Sequence, residues 1–587
     1  MGVPGFFLWL WKKYKLKSFI FNKFDIEHNK FISKQFSSSI NNINELLIDA
    51  NCLIHPQCFS VLDKNKHWTN IGDLENLMIN EILSYIELLI KQVDPKDLVY
   101  IAIDGVAPTA KIKQQRLRRF KSVKDSNLYN NIKRKYGKEI SKYWTNSSIT
   151  PGTVFMEKLT KSIINHFKTN KHNCKVVFSS SNTPSEGEHK LLQYIRNKDD
   201  IDKKYVIYGL DADLLFLSLS SQKENIFLLR EAQQMNNIQV DNESQSFNYV
   251  SIDVMKQCIY EEITSKLDME QFENKIETNN IINDFVFICY LLGNDFIPHI
   301  PSLDIRGSKL RASGIDILIE AYVNVFQNIK EHIINITVDE NGSRKITIHD
   351  IFINQLLIYV GVSENDFFMT NYTNTETKHM QCNSNDPYDL EIFRIDNLMF
   401  KINDPIELGK DTPELWKFRY YQHYFHCSQN QDKMIKQICH HYFEGLLWIA
   451  YYYFDKCPSW EWYYPYEHAP FISDMISNSK GFDFNAVQFK IGKPLKPFEQ
   501  LLAVLPPQSS FLLPLSYKWL MTDDNSPIIY LYPISFELDM LYKNKYWQSI
   551  PFLPDIDIDV IRTYSENIKL SITDIKRNEE IYELYEF

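Results

Sequence analysis

Glycine is scarce in this chain of 587 residues: 17 in all, about 3%, where about 7% is usual. With no short period in the sequence, that scarcity excludes collagen-like and low-complexity classes and points to a chain rich in regular elements. Cysteine is sparse too. The nine residues never adopt C-x-x-C spacing, which argues against a disulfide framework or a zinc ribbon and fits a reducing compartment. Apolar runs are short: the longest, 286–292 and 446–454, fall far below the ~20 residues of a membrane span. An excess of positive charge is also lacking. Lys+Arg 64 against Asp+Glu 74 leaves −10, so any nucleic-acid site has to be a local basic patch. The N-terminus carries no basic segment followed by an apolar run, and Phe6 stands where a myristoylation signal wants Ser or Thr. A soluble, intracellular protein without membrane attachment is expected, in the cytoplasm rather than the nucleus. What is present is ordinary globular material, 44% hydrophobic and 24% charged, enough for one large or two to three smaller units.

The first half alternates short apolar strands with amphipathic helices. Residues 46–48 read as a buried strand ending at Asp49, and apolar residues at helical spacing follow from Leu74 to Val93. Residues 98–103 form a second strand ending at Asp104; 175–178, 205–210 (ending at Asp211) and 226–229 follow. This alternation predicts an α/β fold with a mostly parallel sheet flanked by helices, whose ligands sit beyond the carboxyl ends of the strands. The Asn/Thr/Ser-rich stretch 370–386 reads as a linker or loop. Beyond it, 415–454 reads as helical, followed by a segment rich in Pro and aromatics.

Seven carboxylates stand out: Asp49, Asp104, Glu186, Glu188, Asp211, Asp213 and Asp295. Any one of them alone is best explained as a helix cap or loop carboxylate. Charge at the end of an apolar strand is costly unless paired, capping or metal-bound, and several of these converge on one predicted sheet edge. Glu186/Glu188 and Asp211/Asp213 are spaced two apart, which on extended backbone puts each pair on one side. All-oxygen clusters suit hard divalent cations, Mg²⁺ or Mn²⁺, and two such ions can activate water and stabilise a leaving oxygen in phosphodiester cleavage.

Seven of the fourteen positions 111–124 are Lys or Arg. On a helix, Lys111, Gln115, Arg118 and Arg119 share one face, with Leu117, Phe120 and Val123 opposite. Such a run is usually a solvated surface. Gln115 within the strip and the nearby acidic residues favour a phosphate pocket, for which Arg forks are suited.

These pieces together resemble one family. Met1-Gly2-Val3-Pro4, the segments 47–56 and 104–108, Glu186-Gly187-Glu188-His189-Lys190, 208–213, Gly293-Asn294-Asp295-Phe296, Ser459-Trp460-Glu461-Trp462 and 496–506 are similar to the eukaryotic 5′→3′ exoribonuclease (XRN) family. The resemblance implies a PIN-like catalytic nuclease core over 1–365, a linker or loop over 366–413, and an α-rich second region over 414–587 packed around the active site. It implies that the seven carboxylates hold two metal ions, and that Lys111, Gln115, Arg118 and Arg119 grip a 5′ monophosphate. His55 would stack on the 5′ base opposite one of Trp460 and Trp462, with no basis for choosing between them. The implied activity is processive 5′→3′ degradation of single-stranded RNA bearing a 5′ monophosphate, by a monomer. Whatever further domains of the large members do would be absent here or supplied in trans, and an accessory protein is left open. Leu8 and Thr109 stand where the family commonly has a basic residue, and Ala50 and Cys52 also depart from it; none is a carried-over ligand.

Other readings are weaker. A flap-type DNA endonuclease would leave the second region unexplained, and an inactive RNA-binding scaffold would not need seven carboxylates. Ten of the nineteen residues 448–466 are aromatic, and Tyr451, Tyr452 and Tyr453 read as core. His423, His426, Cys427, Cys439, His440 and His441 fit no zinc-finger spacing.

Overall fold

The computed structural model describes residues 5–587 apart from 141–143, 199, 201, 210–211, 232–246, 273–275, 306–311, 341–343, 374–380 and 428–430. Met1–Pro4 and Asp211, both singled out in the sequence, therefore lie outside the described residues.

Apolar runs bounded by turn residues form an eight-stranded sheet. Its strands are β1 (Ile20–Asn22), β2 (Glu45–Asp49), β3 (Leu98–Ala102), β4 (Lys175–Ser179), β5 (Tyr205–Tyr208), β6 (Ile226–Glu231), β7 (Phe247–Ser251) and, from the chain end, β12 (Tyr585–Glu586). The order is β1-β7-β6-β5-β2-β3-β4-β12. The five central strands run parallel, with Leu47 of β2 opposite Tyr100 of β3 and Ile207 of β5. The outer pairings to β1, β7 and β12 are antiparallel. From β2 the chain fills the sheet toward β4, then returns to place β5 on the other side of β2. The carboxyl end of β2, Asp49, is thus at the topological switch point, where such sheets open a crevice.

The alternation of β2 explains the layers. Leu47 points into a core shared with Phe285, Trp448 and Tyr452, whereas Leu46 and Ile48 point into the opposite core with Ile54, Ile82 and Leu159. The first core contains α5 (Gln431–Phe454), a helix of the expected second region. Burial therefore joins the two halves of the chain around one sheet face.

Four more helices carry the functional residues: α1 (Ala50–Lys64), α2 (Thr109–Lys135), α3 (Gly187–Arg196) and α4 (Ala212–Leu219). A sixth, α6 (Pro497–Val504), packs Phe498, Leu501 and Leu502 against Ile112 and Phe120 of α2. The span 366–413, expected as linker, holds the end of the helix Glu364–Thr373 and the helix Pro387–Asp396; Asp386 caps the latter, accepting from Tyr388 N at 2.8 Å, and Pro387 sets its first turn. The helical reading of 415–454 resolves into Pro413–Phe425, ended by His426 at φ 54°, and α5. Two small antiparallel pairs, β8 (Ile334–Val338) with β9 (Arg344–Ile348) and β10 (Leu538–Asp539) with β11 (Ile550–Pro551), complete the strands among the described residues. No described helix is long and apolar enough to cross a membrane.

Candidate active site

Asp49 ends β2 and directly precedes α1, and Glu186 directly precedes α3. Both occupy the N-cap position, yet neither side chain makes a capping hydrogen bond. Both carboxylates are buried, so another duty must offset their desolvation. Asp104 lies two residues past the end of β3. Its Oδ2 accepts from Asn51 Nδ2 at 2.7 Å, and its Oδ1 accepts from the Gly187 amide at 2.6 Å. Gly187 has to be glycine: a Cβ there would stand 2.9 Å from Asp49 Oδ1 and 3.2 Å from Asp104 Oδ1. The bare backbone lets the N-terminus of α3 approach both strand-end carboxylates.

The first turn of α3 adds Glu188 and His189. Donor atoms of Glu186, Glu188 and His189 all lie within 4.8 Å of one another, and all three side chains are buried. Asp213 enters on the first turn of α4, where its Oδ1 accepts from Tyr453 Oη at 2.9 Å. Asp295 comes from a loop opened by Gly293 at φ 81°, where a Cβ would meet His299 N at 2.5 Å. Lys111 ties the cluster together: its Nζ sits 2.7 Å from Glu186 Oε1 and 2.8 Å from Asp295 Oδ2.

The electrostatics follow from crowding. Burial and the neighbouring Glu186 raise the Asp104 carboxyl, against the Gly187 amide and the Lys111 and Lys190 ammoniums. Burial alone would raise Asp295 and lower Lys111. The attraction between them wins, holding Asp295 well below the usual carboxylate range and Lys111 well above its own. Closely packed carboxylate oxygens are the donor type that a hard divalent ion takes. Among the described residues, the His/Cys set of 423–441 forms no comparable metal group; Cys439 lies in the apolar core.

The basic strip divides along α2. Lys111 turns into the acidic cluster. One turn on, Gln115 Oε1 accepts from Gln500 Nε2 of α6 at 3.4 Å, which leaves the Gln115 amide nitrogen as the group facing away from that contact. A further turn on, Arg119 Nε is buried without a hydrogen-bond partner among the described residues, and Arg118 is exposed beside it. Desolvation and the neighbouring Arg118 charge push Arg119 down to about 9. The bordering His55 of α1, half-buried, is lowered to about 4 by burial and by Arg118 and Arg119. Arg116 points the other way: it donates Nη1 to Ala503 O at 3.0 Å and Nη2 to Leu531 O, locking α2 to the second region.

The two tryptophans separate. Trp462 stacks on Trp448 at 5.5 Å, against the core. Trp460 stands at the start of α2, its carbonyl accepting from the Thr109 amide at 2.9 Å and from Thr109 Oγ1 at 2.8 Å.

Sequence reasoning missed Asn51, His189, Tyr452 and Tyr453 as members of this site. His189 stood beside Glu188 in a quoted motif and was findable. Tyr452 donates to Glu186 Oε2 at 2.7 Å, but in the sequence it is indistinguishable from core aromatics.

A carboxylate cluster at the switch point of a mostly parallel sheet defines a candidate site for a divalent cation. Comparison with known proteins agrees. Residues 1–232 match the family model for the XRN 5′-3′ exonuclease N-terminus, and residues 275–392 and 394–585 match the Xrn1 helical domain. The chain belongs to the XRN 5′-3′ exonuclease family. Its relatives include the 5′-3′ exoribonuclease 2 of Candida albicans, 29% identical over 95% of this chain and 71% of the relative, and that of Arabidopsis thaliana, 29% identical over 100% and 69%. The human 5′-3′ exoribonuclease 1 is 30% identical over 97% of this chain but only 34% of its own length. Metal dependence goes with the family, and the buried Glu186, Glu188 and His189 could hold an ion.

Proposed function

We propose that this protein is a processive 5′→3′ exoribonuclease that degrades single-stranded RNA bearing a 5′ monophosphate. The observation that carries the reading is the division of α2. One helix sends Lys111 into the acidic cluster and, two turns later, holds a buried guanidinium nitrogen of Arg119 that has no hydrogen-bond partner among the described residues. At a rise of about 1.5 Å per residue these groups stand about 12 Å apart along the helix. With a terminal phosphate on Gln115, Arg118 and Arg119, the RNA would run along the face of α2 that leads to Lys111 and the carboxylates.

Asp49, Asp104, Glu186, Glu188, Asp211, Asp213 and Asp295 would hold two Mg²⁺ or Mn²⁺ ions, which when bound supply an activated water and stabilise the leaving oxygen. The protein's own residues do the rest. Arg118 and Arg119 clamp the terminal phosphate as planar forks. His55, kept neutral by its surroundings, offers an uncharged face to the first base, opposite one of the half-buried Trp460 and Trp462. Repeating this grip at each new end makes the enzyme processive as a monomer, and a cytoplasmic setting remains our reading.

The test is a degradation assay on one RNA sequence carrying a 5′ monophosphate, hydroxyl, triphosphate or cap, with a flap DNA alongside. We expect release of 5′-mononucleotides from the monophosphate RNA far faster than from the rest. Equal decay of all RNA ends would overturn the phosphate pocket, and preferred flap cleavage would overturn the RNA assignment.

A further inference from the structure

The C-terminal turn of α5 is held from the nuclease half on several sides. Arg196, the last residue of α3, donates Nη1 to Asp455 O at 3.1 Å and Nη2 to Tyr453 O. Ser220 Oγ donates to Tyr453 O at 3.0 Å, and Arg344 Nη1 of β9 donates to Phe454 O at 2.9 Å. These donors satisfy carbonyls that a helix end leaves unpaired, and they fix the rotation of α5 about its axis.

That rotation aims two consecutive tyrosines at two carboxylates. Tyr452, stacked on Trp448 at 4.7 Å and tilted against His189 at 3.6 Å, donates its hydroxyl to Glu186 Oε2 at 2.7 Å. Tyr453 donates to Asp213 Oδ1 at 2.9 Å. With Lys111 on Oε1 and Tyr452 on Oε2, both oxygens of Glu186 are oriented. Packing alone needs only the rings, and phenylalanine supplies those. The preceding Tyr451 gives the contrast, since its hydroxyl donates to Ile346 O at 3.3 Å, away from the acidic cluster.

We infer that Tyr452 and Tyr453 are positioning residues of the metal site, through which the helical region sets the orientation of two carboxylates belonging to the nuclease region. A phenol donating to a carboxylate restricts its rotation and so holds its oxygens in one orientation toward a bound ion. The inference rests on the reading that Glu186 and Asp213 bind the metal.

The experiment is titration of the purified full-length protein with Mn²⁺, free ion being followed by electron paramagnetic resonance, together with the Mg²⁺ dependence of RNA turnover. Removing an outer partner of a metal ligand typically weakens the metal about 10- to 100-fold. We expect Tyr452→Phe and Tyr453→Phe each to bind Mn²⁺ about 10-fold more weakly and to need correspondingly more Mg²⁺ for half-maximal turnover. Tyr451→Phe should match wild type in both, and Tyr452→Phe added to Glu186→Gln should cost nothing further. Wild-type Mn²⁺ affinity in both tyrosine variants, with weak binding by Glu186→Gln, would overturn the inference and leave the metal reading standing. Undiminished Mn²⁺ binding by both Glu186→Gln and Asp213→Asn would overturn the metal reading and the inference with it. Should Tyr452→Phe fail to fold, Tyr453→Phe against Tyr451→Phe decides.

Discussion

Asp49 and Glu186 hold N-cap positions without capping, and that is the residue-scale signature of the site. Removing one negative charge from such a cluster keeps the shape but weakens the hold on a divalent ion. Glu188→Gln should therefore lower single-turnover cleavage at least ~100-fold while RNA affinity, measured by filter binding in Ca²⁺, stays within a few-fold. Cleavage near the wild-type rate would remove Glu188 from the metal set. His55 gives a pH-dependent test. Its folded value of about 4 lies below the ordinary ~6.5, so the unfolded chain takes up the proton first as pH falls. Its contribution is whole above pH ~6.5 and is lost toward pH 4, amounting to at most about 3 kcal/mol. His55→Gln should flatten the fall of denaturant-measured stability across that window, and an unchanged slope would show that His55 is not held neutral.

At the scale of elements, α2 serves two neighbouring faces, set about 100° apart by the helical turn. Its inner face runs from Lys111 to Arg119, and its outer face fixes the helix to α6 through Arg116, Ile112 and Phe120. These faces should fail differently. Arg119→Ala should slow decay of 5′-monophosphate RNA ~10- to 100-fold and leave 5′-hydroxyl RNA nearly unaffected, because the lost charge-assisted bonds exist only with the phosphate. Arg116→Ala should instead destabilise the fold by about 3–5 kcal/mol, since it strands two buried carbonyls and leaves a cavity; thermal unfolding is the measurement. A wild-type melting temperature would mean that α6 does not depend on that clasp.

For the whole molecule, the chain end returns to the beginning. Strand β12 pairs Tyr585 with Phe178 and Glu586 with Val177, the Phe587 amide donates to Val176 O at 2.9 Å, and the Phe587 ring packs on Phe167 at 6.1 Å. Sheet β4 would otherwise present an unpaired edge. Removing residues 585–587 should lower the melting temperature by several degrees and promote concentration-dependent aggregation, seen by light scattering. Indistinguishable melting and scattering would make β12 dispensable. The shared core of Leu47, Phe285, Trp448 and Tyr452 joins residues of both regions on one face of the sheet.

Much of this was readable in the chain alone. Short continuous apolar runs placed β2, β3, β4, β5 and β6 within a few residues, because strands buried on both faces read as unbroken hydrophobic segments, and helical spacing placed the cationic face of α2. The acidic and basic residues were visible as types in unusual local settings, a charge at the end of an apolar strand or a run of cations on one helix face. Distance in sequence hid the rest. Consecutive tyrosines on a helix point about 100° apart, but which of them meets the carboxylates depends on the rotation of α5, braced by Arg196, Ser220 and Arg344. The turn of Lys111 toward Glu186 and Asp295, the contact of Gln115 with Gln500, and the different settings of Trp460 and Trp462 were likewise decided by packing between segments tens to hundreds of residues apart. Sequence pattern reports which side of its own element a residue faces, whereas the neighbour it meets there depends on how the elements close on one another.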